Sequence, residues 1–304
     1  MKKALITGGA GFIGSNLCEF LLKKKYIVNV IDNLSSGNKS NLPKKVNFFL
    51  GDINDKKTLH KSSKNCSVIF HLAAKSALQE SIKNPYELIR TNILGTSNII
   101  ESSIDNKCKI IFASSCAVYP LNLKKKLKET DIKNAETPYG QSKIACENLI
   151  NFYISAKKIK GSNLRFFNVY GPNQNSKSIY SAVIPKFIKR AKENKFLELN
   201  NYGLQSRDFI HVNDACIALF QAANSKKLGT FNIGTGKSIK IKDLALLVID
   251  IIKKGKIKKK KGLKFDTIYS CANIDKTKRI LNFKSKVQLK EGIKELVIWK
   301  KNVL

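Results

Sequence analysis

Lys3-Ala4-Leu5-Ile6-Thr7-Gly8-Gly9-Ala10-Gly11-Phe12-Ile13-Gly14 decides how this chain is read. Its first five residues suit a short buried strand, three glycines follow at fixed spacing, and apolar Phe12, Ile13, Leu17, Phe20 and Leu21 then recur at helical intervals. Strand, glycine turn and helix in this order form a cradle for a pyrophosphate. Gly8 permits the tight turn, Gly11 lets a phosphate approach the backbone, and Gly14 lets the helix pack close to the strand. The helix N-terminus, at Phe12 and Ile13, faces the phosphates with its N–H groups.

Downstream, a strand over 26–31 ends in Asp32, whose carboxylate is placed to accept hydrogen bonds from an adenosine ribose. No arginine follows in Asn33-Leu34-Ser35-Ser36-Gly37, so a 2′-phosphate would be poorly received and NAD is expected over NADP, with Asn33, Ser36 and Gly37 beside it. A strand over 46–50 closes in Gly51-Asp52-Ile53, where Asp52 would bond the adenine and Ile53 pack on it. A strand over 67–72 leads through Leu72 into Ala73-Ala74-Lys75, small residues that let a cofactor lie against the backbone. The segment 86–103 has helical spacing around Asn92, Gly95 and Thr96, and a strand over 109–113 ends in Ser114-Ser115. Strands alternating with helices predict an α/β fold, a Rossmann-type doubly wound parallel sheet covered on both faces.

Thr137-Pro138-Tyr139-Gly140-Gln141-Ser142-Lys143 places a phenol and an ammonium four residues apart just after a helix-starting proline. An ammonium beside a phenol favours the phenolate, so the pair is a candidate general base. The helix is expected to run to about Ala156, with a strand over 162–167 next. Beyond residue 172 the composition shifts toward Asn, Ser and Lys. A helix is expected after Pro185, a strand over 204–212, a helix over 242–252 and a solvated lysine-rich loop over 253–261. The expected division is a cofactor domain over 1–171 to which 206–233 returns, and a smaller C-terminal α/β substrate-binding region from 172–205 and 234–304.

The formal charge of +34 invites a polyanionic partner, but only five of the 56 basic residues are arginine. Bidentate phosphate and base recognition favours arginine, so no specific nucleic-acid binding is expected. Seven scattered cysteines without Cys-x-x-Cys and three histidines without His-x-x-x-His argue against a disulfide framework or a metal centre. The apolar run over 244–252 is too short to span a bilayer, and a cytoplasmic location is expected.

In sequence order, these motifs resemble the extended short-chain dehydrogenase/reductases of the NAD-dependent epimerase/dehydratase family. Further matches are His71-Leu72-Ala73-Ala74, Leu164-Arg165-Phe166-Phe167-Asn168-Val169-Tyr170-Gly171-Pro172, Arg207-Asp208-Phe209-Ile210-His211-Val212 and Phe231-Asn232-Ile233-Gly234-Thr235-Gly236. The resemblance implies 4-epimerisation of a UDP-hexose by transient oxidation at C4 and return of the hydride to the opposite face. It implies Tyr139 as the base, Ser115 on the same oxygen, and Lys143 on the nicotinamide ribose, lowering the Tyr139 pKa together with the cationic ring. Lys75, Asn92, Ser114, Phe166 and Val169 fall at family positions near the cofactor. Asn168, Ala182, Val183, Arg207 and Ser270 fall at positions near the sugar nucleotide. Related dehydratases carry acids just after the active-site hydroxyl, where this chain has Cys116 and Ala117, so epimerisation is expected over elimination. Ser270 stands where glucose-restricted relatives carry a bulky aromatic, which leaves room for an N-acetyl group. Departures are Ala117, Pro120, and Leu263 or Lys264 where a second diphosphate arginine is usual. A homodimer through helices over 84–103 and 138–156 is also implied. A non-catalytic Rossmann-fold RNA-binding protein is the contrasting class.

Overall fold

The computed structural model describes residues 1–76, 82–121, 123–174, 183–262 and 267–299. Its centre is a seven-stranded sheet of β1 (Lys3–Thr7), β2 (Ile27–Asp32), β3 (Asn47–Leu50), β4 (Val68–His71), β5 (Lys109–Ser115), β6 (Lys160–Phe166) and β7 (Gly229–Ile233). The spatial order is β7-β6-β5-β4-β1-β2-β3 and every pairing is parallel. From β1 the chain winds outward through β2 and β3, then returns to β4 and winds the other way. The crevice at the carboxyl ends of β1 and β4 is therefore the switch point where a doubly wound sheet takes its ligand.

Successive strand residues point to opposite faces, and both faces are covered. Ala4, Ile6, Val30 and Phe70 pack against α1 (Phe12–Lys23) and a helix over Val212–Asn224. Leu5, Ile31, Ile69 and Phe112 pack against α2 (Lys56–Ser63), α3 (Gly95–Asn106) and α4 (Pro138–Ser155). Each fully buried Leu or Ile contributes roughly 1.5–3 kcal/mol before ordering entropy is counted, which holds both layers in place. Just before α3, Arg90–Leu94 forms a π turn where uninterrupted helical spacing was expected.

The helices Val183–Lys192, Ile241–Ile252 and Leu289–Trp299 build a separate apolar cluster with the strand Phe196–Leu199. A smaller cluster joins Val118 and Phe167, just past β5 and β6, to Ala272 and Ile274. Among the described residues no helix is long and apolar enough to cross a membrane.

Two sequence expectations are corrected here. The strand expected over 204–212 is two strands in different sheets. Ser206–Arg207 pairs with Ile239–Lys240 and Tyr269–Ser270, whereas Phe209–His211 pairs with Asn168–Tyr170. The chain changes partners at Asp208. The lysine-rich loop expected over 253–261 contains a strand, Lys256–Lys259, parallel to Phe196–Leu199. Ile257 packs on the C-terminal cluster while the lysines around it stay exposed, so one inward side chain in an alternating pattern was enough to seat a strand.

Beneath the carboxyl ends of β5 and β6 lies a buried ion pair. Arg165 grips Glu147 through Nε–Oε1 at 2.8 Å and Nη2–Oε2 at 2.7 Å, and the Ser114 hydroxyl donates to the same carboxylate at 2.6 Å. Arg165 Nη1 donates to the Tyr119 hydroxyl at 2.8 Å, which in turn donates to Asn232 Oδ1. Removing Arg165 strips both guanidinium bonds from a buried carboxylate and leaves it the partly exposed Lys133 at 3.7 Å, so Arg165→Met should cost roughly 3 kcal/mol, read as a lower urea midpoint at an unchanged slope.

Candidate active site

Thr137 caps α4 by accepting the Gly140 N–H on its hydroxyl at 3.1 Å, and Pro138 occupies the first turn. That start places Tyr139 at the wall of the cavity and Lys143 one turn deeper, almost wholly buried. Lys143 Nζ lies 5.7 Å from the Tyr139 ring centre and donates to the Ala113 carbonyl at 2.8 Å. Ser115, at the end of β5, hydrogen-bonds the Tyr139 hydroxyl and accepts the Ala117 N–H at 3.1 Å. Phenol, serine hydroxyl and lysine therefore meet where α4 crosses the end of β5.

Burial dominates the electrostatics of this group. Burial pushes the Tyr139 hydroxyl up to about 12, against the pull of the Ser115 hydrogen bond. Burial likewise brings the Lys143 ammonium down to about 8. Desolvation is the largest influence on both groups, while the Lys143 ammonium is held on the Ala113 carbonyl.

The glycine turn fits a diphosphate. A Cβ on Gly8, at φ +69°, would come within 2.8 Å of the Ala73 backbone, and one on Gly37 within 2.8 Å of Ala10. A Cβ on Gly11 would meet only the Gly8 carbonyl, at 3.2 Å, so its outer side is open. Gly11 caps α1 with no side chain and no acid sits in the first turn, leaving the N–H groups at Phe12 and Ile13 without a side-chain cap. Asp32 orders the loop beyond β2, accepting the Ala10 N–H at 2.9 Å and the Leu34 N–H at 2.8 Å; Ser36 and Gly37 follow in that loop. Asn33 donates to Asp52 at 2.9 Å. Burial would raise the Asp52 pKa, but bonds from the Asn54 N–H and Asn33, with Arg90 3.6 Å away, hold it below the ordinary carboxylate range. Ile53 packs toward Gly95.

At the nicotinamide end, a network joins residues read separately in the sequence. Thr96 Oγ1 donates to the Asn92 carbonyl and so accepts from His71 Nε2 at 3.0 Å. His71 Nδ1 then accepts from the Thr7 hydroxyl at 2.8 Å, and Thr7 Oγ1 accepts the N–H groups of Leu72 and Ala73. Asn92 accepts the Lys75 N–H at 2.8 Å, donates to the Lys75 carbonyl at 3.0 Å and reaches Ser142 Oγ at 2.9 Å. Asn92 thus fastens the Ala74–Lys75 segment to α4.

A cavity of about 220 Å³ opens beside Tyr139, lined by Cys116, Ala117, Tyr119, Pro120, Leu121, Leu127, Thr137, Asn168, Arg207, Thr267, Tyr269 and Ser270. Asn168, Arg207 and Ser270 thus converge from three separate strands on one wall. Phe166 and Val169 flank the β6 exit, and Val183 opens a helix without lining the cavity. Ala182 and the 263–264 position lie outside the described residues. Thr137, Tyr119 and Tyr269 went unread as lining residues. Thr137 alone had a local signal, a hydroxyl directly before a helix-starting proline.

Residues 4–234 match the model of the NAD dependent epimerase/dehydratase family. The chain belongs to that family. A putative UDP-glucose 4-epimerase of Methanocaldococcus jannaschii is 37% identical, covering 98% of each chain. A Thermotoga maritima UDP-glucose 4-epimerase, solved with UDP-glucose, superposes with a TM-score of 0.95 at 32% identity over 99% of each chain. A UDP-N-acetylglucosamine 4-epimerase of Methanobrevibacter ruminantium, in complex with UDP-N-acetylmuramic acid, gives the same score and identity over 100% of this chain and 99% of that one. The α/β Rossmann-type fold and NAD as cofactor hold for this chain as for its family.

Burial depresses the His71 pKa to about 3, with Lys143 adding to the effect. Its ring should show no titration between pH 5 and 8 by NMR and should carry its proton on Nε2. In the unfolded chain the same ring takes a proton near pH 6.5, so this residue's contribution to stability should be intact above that pH and lost as pH falls toward 3.

Proposed function

We propose that the protein is an NAD-dependent UDP-hexose 4-epimerase, with 1–171 and 206–233 holding the cofactor and 172–205 and 234–304 the sugar nucleotide. One observation carries this reading: Tyr139, with Ser115 and Lys143 beside it, lines a cavity whose described lining residues include no carboxylate. NAD, when bound, supplies a reversible two-electron acceptor and a cationic ring.

Gly8, Gly11, Phe12, Ile13 and Gly14 would hold its diphosphate, Asp32, Asn33, Ser36 and Gly37 its adenosine ribose, and Asp52 and Ile53 its adenine. Leu72, Ala73, Ala74, Lys75, Asn92, Ser114, Phe166 and Val169 line the nicotinamide side. Lys143 would hold the nicotinamide ribose, and its charge near the phenol would favour the phenolate. Tyr139 takes the proton from the sugar's C4 hydroxyl while Ser115 holds that oxygen, and the same proton goes back at the end of the cycle. Burial holds the Tyr139 phenol up at about 12, so positive charge beside it, from Lys143 and from the ring of bound NAD, would ease loss of its proton. Cys116 and Ala117 offer no carboxylic acid for elimination, which favours epimerisation over 4,6-dehydration.

Arg207 and Asn168 would receive the nucleotide's phosphates, with Ala182 and Val183 on the uracil side. Ser270 is small and lines the cavity, which supports room for an N-acetyl group beside the sugar. Exposed Tyr86, Ile89 and Leu94 before α3, with exposed Phe152 on α4, support a homodimer through these helices.

Purified protein incubated with a UDP-hexose panel should interconvert both the acetylated and non-acetylated gluco/galacto pairs; release of a 4-keto-6-deoxy product would establish the dehydratase instead. Tyr139→Phe should lower kcat by about 10²–10⁴-fold while NAD stays bound. Ser270→Tyr should lower kcat/KM for the N-acetylated pair by at least about tenfold and spare the other pair, measured on the same panel.

A further inference from the structure

Asp208 has no surface in the cavity, yet three polar residues that line it, Asn168, Arg207 and Ser270, are attached to it. It follows Arg207 directly in the chain. Its N–H donates to the Ser270 carbonyl at 2.9 Å, and its carbonyl accepts both the backbone N–H of Asn168 at 3.0 Å and Asn168 Nδ2 at 3.1 Å. Arg207, Ser270 and Asn168 thus lie one covalent or one hydrogen bond from a single residue, at the point where the chain changes sheets.

The side chain faces the other way and is fully satisfied. Oδ1 accepts the Thr235 N–H at 2.9 Å and the Thr235 hydroxyl at 2.6 Å; Oδ2 accepts the N–H groups of Gly236 at 3.0 Å and Ala272 at 3.2 Å. Three of these four partners are backbone N–H groups, which cannot reverse their role, so the site asks for two acceptor oxygens. Gly234 makes room for them, since a Cβ there would lie 2.7 Å from Oδ2 and 2.8 Å from the Ala272 Cβ. Thr235 and Gly236 follow directly on β7, while Ala272 stands two residues beyond Ser270. The carboxylate therefore clamps the Ser270–Ala272 segment to the end of the central sheet.

We propose that Asp208 is the positioning residue of the sugar-nucleotide wall, setting Arg207, Asn168 and Ser270 in mutual register. The proposal rests on the UDP-sugar reading of the cavity. A carboxylate that served the fold alone would lower stability when altered and leave ligand affinity in the folded protein untouched. Asp208→Asn separates the two, because asparagine keeps the shape but offers one acceptor oxygen and turns an NH2 group toward two donors.

In NAD-loaded protein the variant should bind UDP at least about tenfold more weakly by calorimetry, and KM for the UDP-sugar should rise alike while kcat changes less. NAD retention should match wild type, since no Asp208 contact reaches the glycine turn. Wild-type UDP affinity and KM in a folded Asp208→Asn protein would overturn the proposal. Should that variant fail to fold, Thr235→Ala removes the hydroxyl bond to Asp208 and the hydroxyl's contacts with the exposed Lys237 backbone, but leaves the three backbone N–H groups on the carboxylate: a smaller rise in both constants supports the proposal, and unchanged constants overturn it. Wild-type protein that binds UDP without turning over UDP-sugars would defeat the epimerase reading, and the ratio of UDP affinities would still decide the role of Asp208.

Discussion

The close approach of the Gly8 turn to the backbone of Ala73 is the constraint on which the rest of the site depends. β1 and β4 run parallel and adjacent, and their ends are drawn together by the Thr7 hydroxyl, which accepts two N–H groups of the β4 exit. Only a residue without Cβ fits between them. Once that contact is made, α1 leaves the sheet with its first N–H groups aimed into the crevice. His71 and Thr96 then carry the same alignment across to Asn92, and Asn92 to α4, so the turn under the diphosphate and the helix bearing Tyr139 belong to one hydrogen-bonded unit.

Electrostatics in that unit are arranged by burial more than by pairing. Tyr139 and Lys143 each lose solvent, which favours the neutral form of both and keeps the free chain from holding a reactive phenolate. The buried Glu147–Arg165 pair lies below them with its hydrogen bonds shared among Ser114, Tyr119 and Asn232, and so ties the ends of β5, β6 and β7 to α4. Such a pair adds little net stability over a hydrophobic replacement. What it does here is hold three strand ends and one helix in a single relative placement.

The opposite wall of the cavity comes from a different part of the chain. Its strands are two or three residues long and would not stand alone; they persist because each is pinned to the central sheet or to the C-terminal apolar cluster. Asp208 lies at their junction, where the backbone changes from one small sheet to another. The two walls of the cavity are thus held by separate networks, with Tyr139 on a rigid helix of one and Ser270 on a short strand of the other.

Much of the cofactor half was legible in the sequence because its signals are local. A buried strand, glycines at fixed spacing and an acid at the end of the next strand each leave a mark within a few residues, as does a capped helix carrying Tyr139 and Lys143 on one face. Three features were decided only by tertiary structure. Burial sets the Tyr139 phenol above its ordinary value, because desolvation depends on everything packed around a group and not on its neighbour in the helix. The expected strand over 204–212 split at Asp208, and a lysine-rich segment became a strand, because pairing partners for such short pieces lie tens of residues away. The convergence of Asn168, Arg207 and Ser270 was likewise invisible locally: hydrogen bonds between residues 40 to 64 positions apart carry no periodicity that a sequence can show.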